Sequence, residues 1–351
     1  MALIARSLTG PLAVEIRPRA MEVLGELLAD RRIATTGRVA VAIGSGVAGG
    51  VRGAVERAVP GAPVSEVDGG SLAAARALAD GLRGNRPDVL VGIGGGGSID
   101  VAKWAATAIG VPFVSVATTL THDGLASPVA VLEEGGFKGS YGVQPPIAVV
   151  VDLDLVRAAP PNHTRSGIGE VVSNLSAVAD WVLAREQVGE AYDGLAAAMA
   201  ATAALSVLNE QRTLGDDALL AALADALVVS GLAMTAAGTS RPCSGACHEI
   251  SHAIDRLYPG TALHGEQVAV GALFASFLRG DERTPDIDAC FRRYGVPRLP
   301  SDLGLDVAAF VDAVVAAPET RPGRYTILEH LHMDSSTIRE RVDVFIETFD
   351  R

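Results

Sequence analysis

Asp88-Val-Leu-Val-Gly-Ile-Gly94-Gly-Gly-Gly-Ser98-Ile-Asp100 carries an unbroken apolar segment into four glycines, and the helical pattern Val101–Ile109 follows at once. A strand buried on both faces reads as such a continuous apolar run, so the stretch predicts a central parallel strand, a glycine turn and a helix. Glycines at 94 to 97 let backbone amides approach a ligand without a side chain between, and the next helix offers unpaired N–H groups and a positive dipole to a pyrophosphate. A plain turn would need one or two glycines. The spacing is neither Gly-x-Gly-x-x-Gly nor a Walker loop with its Lys-Ser/Thr, so the loop reads as a phosphate or dinucleotide site of another kind.

The alternation continues on both sides. Upstream come a helix within Pro18–Asp30, the strand Arg38–Ile43 ending in Gly44-Ser-Gly46, the helix Val47–Val59, the strand Pro63–Asp68 and the amphipathic helix Ser71–Arg83. Downstream, Pro112–Ala117 and Ile147–Asp152 read as two more strands. Strand and helix in turn predict a doubly wound, Rossmann-like parallel sheet with ligands outside the carboxyl ends of its strands. After Pro160-Pro161 the pattern changes to long helices, dividing an α/β domain (1–157) from an all-α domain (158–351).

Composition narrows the partners. The 351 residues carry a formal charge of −12, with 41 acidic against 29 basic residues and no basic run, which argues against a nucleic-acid or anionic-membrane surface. Three cysteines, Cys243, Cys247 and Cys290, fit no disulfide framework and place the chain in a reducing cytoplasm. Met1–Gly10 lacks the apolar run of a secretory signal. The Ala-rich segments Leu195–Leu208 and Ala218–Ala237 read as buried bundle helices rather than membrane spans. Small soluble metabolites are the expected partners.

Chemistry gathers in Ser244–Gly271, which holds three of the seven histidines within seventeen residues. His248 and His252, four apart on a helix, share one face, and His264 follows a turn at Pro259-Gly260. Imidazoles from two segments, with a carboxylate, make a set for a cation such as Zn²⁺, with Fe²⁺ or Ni²⁺ as alternatives. Glu170, at what reads as a glycine-marked helix start (Gly167-Ile-Gly169), is the candidate carboxylate. A glutamate in a first turn can also merely complement the helix dipole.

Gly-Gly-Gly-Ser-Ile-Asp at 95 to 100, Thr118-Thr-Leu-Thr-His-Asp-Gly-Leu-Ala-Ser-Pro128, Ser240-Arg-Pro-Cys-Ser-Gly-Ala-Cys-His-Glu-Ile-Ser-His-Ala-Ile-Asp255 and Leu263-His-Gly-Glu266 resemble the sn-glycerol-1-phosphate dehydrogenases. These belong to a superfamily with iron-type alcohol dehydrogenases, glycerol dehydrogenase and dehydroquinate synthase. The resemblance implies a dehydroquinate synthase-like fold, NAD or NADP on the N-terminal domain, one divalent ion, a homo-oligomer, and substrate in the cleft between the domains. Gly95, Gly96, Gly97, Ser98 and Asp100 would meet the cofactor's pyrophosphate and neighbouring groups, with Thr118, Thr119, Thr121 and Ser127 lining the rest of its site. Glu170, His248 and His264 would bind metal, Glu170 lying against the substrate too. Asp123 would hydrogen-bond the substrate, and His252 would reach it and move a proton.

The implied activity is NAD(P)-linked, metal-dependent interconversion of dihydroxyacetone phosphate and sn-glycerol 1-phosphate, or of a similar phosphorylated hydroxyketone. Glu170 stands where the dehydrogenases usually carry Asp and where dehydroquinate synthases resemble this chain. The alternative is therefore a sugar-phosphate cyclase that uses NAD transiently. Arg241 and Lys138 are the candidate cations for a substrate phosphate. Gly44-Ser45-Gly46 holds neither an acid to exclude a 2′-phosphate nor an arginine to select one.

Overall fold

The computed structural model describes residues 10–350. Met1–Thr9, on which most of the reading of the N-terminus rests, lies outside the described residues. The chain divides into two compact units between Pro160 and Pro161.

Unit 1 is built on strands β1 (Ala13–Arg17), β2 (Val39–Gly44), β3 (Val64–Val67), β4 (Val89–Gly94), β5 (Phe113–Ala117) and β8 (Ala148–Asp152), which form one parallel sheet in the order β1-β8-β5-β4-β2-β3. Its helices are α1 (Leu24–Ala29), α2 (Ser45–Ala58), α3 (Leu72–Arg83), α4 (Gly96–Ile109) and α5 (Leu153–Ala158). Strands β2, β4, β5 and β8 are buried at every position, as their apolar runs require. Serine 71 caps α3 by accepting from the Ala74 amide at 3.1 Å.

Three features differ from the sequence expectation. The antiparallel hairpin β6 (Val129–Glu134) and β7 (Phe137–Gly142) stands between β5 and β8 in the chain, and β1 forms one edge of the sheet. Both carry charged residues on exposed faces, and the one apolar run they hold, Val129–Leu132, is only four residues long. Helix α4 also begins at Gly96, five residues before the apolar pattern, so two of the four glycines form its first turn.

Chain order fixes where a ligand can sit. From β2 the chain crosses by way of α2 and β3 to one edge, whereas from β4 it crosses through α4 to β5 in the other direction. The carboxyl ends of β2 and β4, paired at Ile43 and Ile93, therefore flank the crevice at which such sheets bind ligands.

Unit 2 is all-helical: α6 (Pro161–Val172), α7 (Asn174–Val188), α8 (Gly194–Leu208), α9 (Asp217–Ala237), α10 (Ala246–Leu257), α11 (His264–Arg279), α12 (Thr284–Tyr294), α13 (Val307–Ala316), α14 (Ile327–Leu331) and α15 (Ser335–Phe349). Helix α9 is long and apolar enough to cross a membrane by length and composition alone, yet much of it is buried, including Leu219, Leu223 and Leu227. Phe274 of α11 meets Phe310 of α13 and Phe345 of α15 with ring centroids 5.4 and 5.2 Å apart, locking the carboxyl-terminal helices onto α11.

Candidate functional site

Three close helix approaches create the histidine cluster. At Gly169 of α6 a Cβ would collide with the Gly265 carbonyl, and at Gly265 of α11 one would collide with the Ser166 carbonyl. At Gly271 a Cβ would lie 2.8 Å from the Cys247 carbonyl oxygen of α10. These glycines bring backbone against backbone, and the neighbouring side chains Glu170, His248 and His264 converge as a result.

One donor atom from each of the three lies within 4.8 Å of the others. Glu170 Oε1 is 3.8 Å from His248 Nε2, and Oε2 is 3.7 Å from His264 Nε2. Such spacing is too long for hydrogen bonds and suits three donors facing a common ion. Glu170 sits in the last turn of α6, not at a helix start, because Pro161 opens the helix. There it opposes the negative end of the dipole while only 4% exposed. Only nearby positive charge makes that position favourable.

The ring of His264 is set by a chain of polar groups. Gln267 Nε2 donates to Asp255 Oδ1 at 3.2 Å and to the Ala262 carbonyl at 3.4 Å, which points Gln267 Oε1 at Ser251. Ser251 Oγ donates its single proton to that oxygen at 2.8 Å, so across the 3.0 Å contact with His264 Nδ1 it must accept. Nδ1 thus holds the proton, leaving a lone pair on Nε2 towards Glu170. His248 Nδ1 lies 3.3 Å from Cys247 Sγ, and its Nε2 likewise faces the carboxylate.

Electrostatics agree with this geometry. Burial opposes charge on His248, but the Cys247 sulfur and Glu170 outweigh it and raise the imidazole to about 10. The site calls for positive charge, which a divalent ion supplies as a proton would. His252 stacks on His264 with centroids 6.1 Å apart, and burial, then Arg321, His264, His248 and Arg324, hold it well below its usual value. Its ring is neutral. Burial, reinforced by Glu329 and Asp180, pushes Glu249 up to about 9.

The two candidate phosphate cations occupy other settings. Arg241 is 3% exposed and meets Glu190 through both Nε and Nη2, and Nη2 also donates to the Tyr325 carbonyl at 2.9 Å. Lys138 is exposed on β7 of unit 1. Two arginines that sequence reasoning did not single out, Arg321 and Arg324, lie instead near His252.

In unit 1, Gly95 caps α4 without a side-chain hydrogen bond, leaving the first amides of a 14-residue helix open at the loop. Gly97 is exposed, Ser98 half-buried, and the Ser98 side chain occupies the space a Cβ on Gly44 would fill, joining the β2 and β4 loops. At Gly95 a Cβ would lie 3.1 Å from Thr119 Oγ1. The buried Thr118 and Thr119 hydroxyls lack a hydrogen-bond partner among the described residues, as befits groups that meet a polar ligand. Thr121 is half-buried, and Asp123 is buried in a short 3₁₀ turn. Ser127 Oγ donates to the Val129 carbonyl at 3.3 Å.

His122 escaped the sequence reading: its ring fills the space where a Gly96 Cβ would stand, and Nδ1 accepts from the Gly124 amide at 3.0 Å. Lys103 escaped it too. Wholly buried, it pairs with Asp100 at 3.1 Å and donates to the Gly124 carbonyl at 2.6 Å, while Asp100 Oδ2 accepts from the Val131 amide at 3.0 Å. The Asp100 carboxylate is thereby committed to holding the Thr118–Pro128 stretch and the hairpin against α4. A lysine three residues after an aspartate in an apolar helix was the available signal.

Residues 15–160 match the family model described as iron-containing alcohol dehydrogenase. A glycerol-1-phosphate dehydrogenase [NAD(P)+] of Pyrococcus furiosus is 39% identical over 249 residues, covering 70% of this chain and 72% of that protein. One from Cenarchaeum symbiosum is 40% identical over 253 residues, covering 72% and 71%. Among solved structures, a probable glycerol dehydrogenase from Sinorhizobium meliloti superposes with a TM-score of 0.77 over 99% of both chains at 22% identity. A sulfoacetaldehyde reductase from Bifidobacterium kashiwanohense, in complex with NAD+, gives 0.73 over 97% of this chain and 99% of that one at 16% identity. These structural likenesses establish the shared fold.

Proposed function

The chain belongs to the glycerol-1-phosphate dehydrogenase family, and we infer that it is the NAD(P)-dependent oxidoreductase that interconverts dihydroxyacetone phosphate and sn-glycerol 1-phosphate. The observation that carries the chemistry is the convergence of Glu170, His248 and His264 within 4.8 Å, with neutral His252 beside them.

Reduction adds a hydride to the ketone carbon and a proton, drawn ultimately from solvent, to its oxygen. A divalent ion polarises such a carbonyl and a reduced nicotinamide supplies the hydride. Glu170, His248 and His264 would hold such an ion, and Ser251 and Gln267 keep His264 in the tautomer that frees its Nε2 lone pair. His252 keeps a proton on one ring nitrogen and, being neutral, donates a hydrogen bond without adding charge. Asp123 is assigned the hydrogen bond to substrate. The open amides of α4 and the Thr118 and Thr119 hydroxyls support pyrophosphate binding.

Two imidazoles and a carboxylate favour zinc as the ion; Fe²⁺ and Ni²⁺ accept the same donors. The dehydrogenase relatives favour this reading over the cyclase. Three buried, unbridged thiols support a reducing compartment. The test is NAD(P)H oxidation with dihydroxyacetone phosphate by metal-loaded protein, with chiral analysis of the product. Phosphate release from a seven-carbon sugar phosphate without net cofactor consumption would replace the dehydrogenase with the cyclase.

A further inference from the structure

Arg321 and Arg324 flank the turn at Pro322-Gly323 ahead of α14, and their guanidinium groups converge on one hydroxyl. Arg324 Nη2 donates to Ser240 Oγ at 3.0 Å and Arg321 Nη1 at 3.5 Å, while Arg324 Nη1 donates to the Ser244 carbonyl. Both are half-buried, and neither pairs with a carboxylate among the described residues. Their neighbours differ in this respect. Arg241 is neutralised by Glu190 and Arg279 by Asp180, so each of those has the partner that a desolvated guanidinium ordinarily requires.

Glu249 attracts both and Glu190 attracts Arg324, but Glu249 is itself pushed up to about 9 and Glu190 is committed to Arg241, so two like charges in a partly desolvated turn still lack an anion of their own. Burial lowers both from their ordinary values, Arg324 to about 10, and in Arg324 the next cause is repulsion by Arg321. Both charges act on the ring of His252. An anion between them would lie next to the imidazole cluster, and planar guanidinium forks with a hydroxyl match the oxygens of a phosphomonoester.

We propose that Arg321 and Arg324, with the Ser240 hydroxyl, form the subsite for the phosphate of the substrate. The subsite rests on the dehydrogenase reading and deepens it by assigning the residues of this chain that hold the substrate's terminal phosphate. Arg241 is then a buttress, tying the Ser240–Cys243 turn to Glu190 and to the Tyr325 carbonyl beside Arg324.

The experiment uses the full, metal-loaded chain. Arg321→Gln is the lead variant because the 3.5 Å contact with Ser240 is the one side-chain hydrogen bond Arg321 makes among the described residues, and Arg324→Lys keeps the charge but removes the fork. For Arg321→Gln, kcat/KM with dihydroxyacetone phosphate should fall about 30-fold or more, with dihydroxyacetone changing less than about threefold. The inhibition constant of inorganic phosphate should rise by a similar factor, with KM for NADH and NADPH within about twofold. Equal losses on the phosphorylated and free ketones, or a change confined to the dinucleotides, would overturn the subsite. Should the wild type not reduce dihydroxyacetone phosphate, the functional reading fails by itself. Calorimetric titration of inorganic phosphate then decides the subsite: roughly tenfold weaker binding to Arg321→Gln upholds it, and equal binding overturns it.

Discussion

Asp180 Oδ1 lies 2.7 Å from Arg279 Nη1, and the aspartate joins three helices of unit 2. The same oxygen accepts from the Ile327 amide at 2.9 Å at the start of α14, and Oδ2 accepts from the Ala246 amide at 2.8 Å at the start of α10. Removing one member of a buried pair leaves the other charge uncompensated, at a cost of about 3–5 kcal/mol. Asp180→Ala should lose stability on that scale by urea denaturation and should bind metal less tightly, because α10 carries His248. A loss under about 1 kcal/mol would mean that Arg279 finds another partner.

Gly265 is where α6 and α11 touch. A methyl group there meets the Ser166 backbone, so Gly265→Ala must part the two helices that carry Glu170 and His264. Overpacking of this kind costs about 1–3 kcal/mol, and metal content after loading should drop with it. Gly194→Ala is the control, because its Cβ meets only Tyr192 Cε1 at 3.9 Å. Should both variants bind metal as the wild type does, the backbone contact does not set the ligand spacing.

Ser251 reaches metal only through His264. Replacing it with alanine removes the acceptor for the Nδ1 proton and leaves Gln267 Oε1 without its donor. Metal affinity by competition with a chromophoric chelator should weaken about 10–100-fold, the range for losing a partner behind a ligand. Ser251→Thr should recover much of it by keeping the hydroxyl. Unchanged affinity in the alanine variant would show that Nδ1 has another acceptor.

Burial pushes the Cys290 thiol up to about 11 from an ordinary value of 9.0. Below pH 9 both folded and unfolded chains keep this proton. Between those values the unfolded chain loses it while the folded chain retains it, so stability falls as pH rises. The loss approaches roughly 2 kcal/mol by pH 11. Denaturation midpoints of Cys290→Ala should decline less steeply than those of the wild type over that window, and parallel curves would assign the alkaline loss to other groups.

The sheet was legible because strands covered on both faces have nowhere to put a polar side chain, so β2, β4, β5 and β8 each stand out as apolar runs. The hairpin and β1 were not, since an exposed face admits Glu15, Lys138 and Ser140. The histidine spacing foretold the cluster, but Glu170 was placed at a helix start by its glycines, whereas Pro161 was the boundary signal that decided. Arg321 and Arg324 gain their meaning from Ser240, 81 and 84 residues away, and no local pattern encodes such a meeting.

Strand β1 has a consequence for synthesis. It pairs in parallel with β8, Ala13 opposite Ala148, so the earliest strand of this sheet must wait for its latest one. At roughly 5–20 residues per second, that interval of about 135 residues lasts on the order of 7 to 27 seconds. Throughout it Ala13–Arg17 lacks its partner strand, and once β5 (Phe113–Ala117) has been made it presents a bare edge until β8 arrives. The nascent chain is therefore most open to chaperones and misassembly before Ala148 emerges, and the sheet closes in one late step.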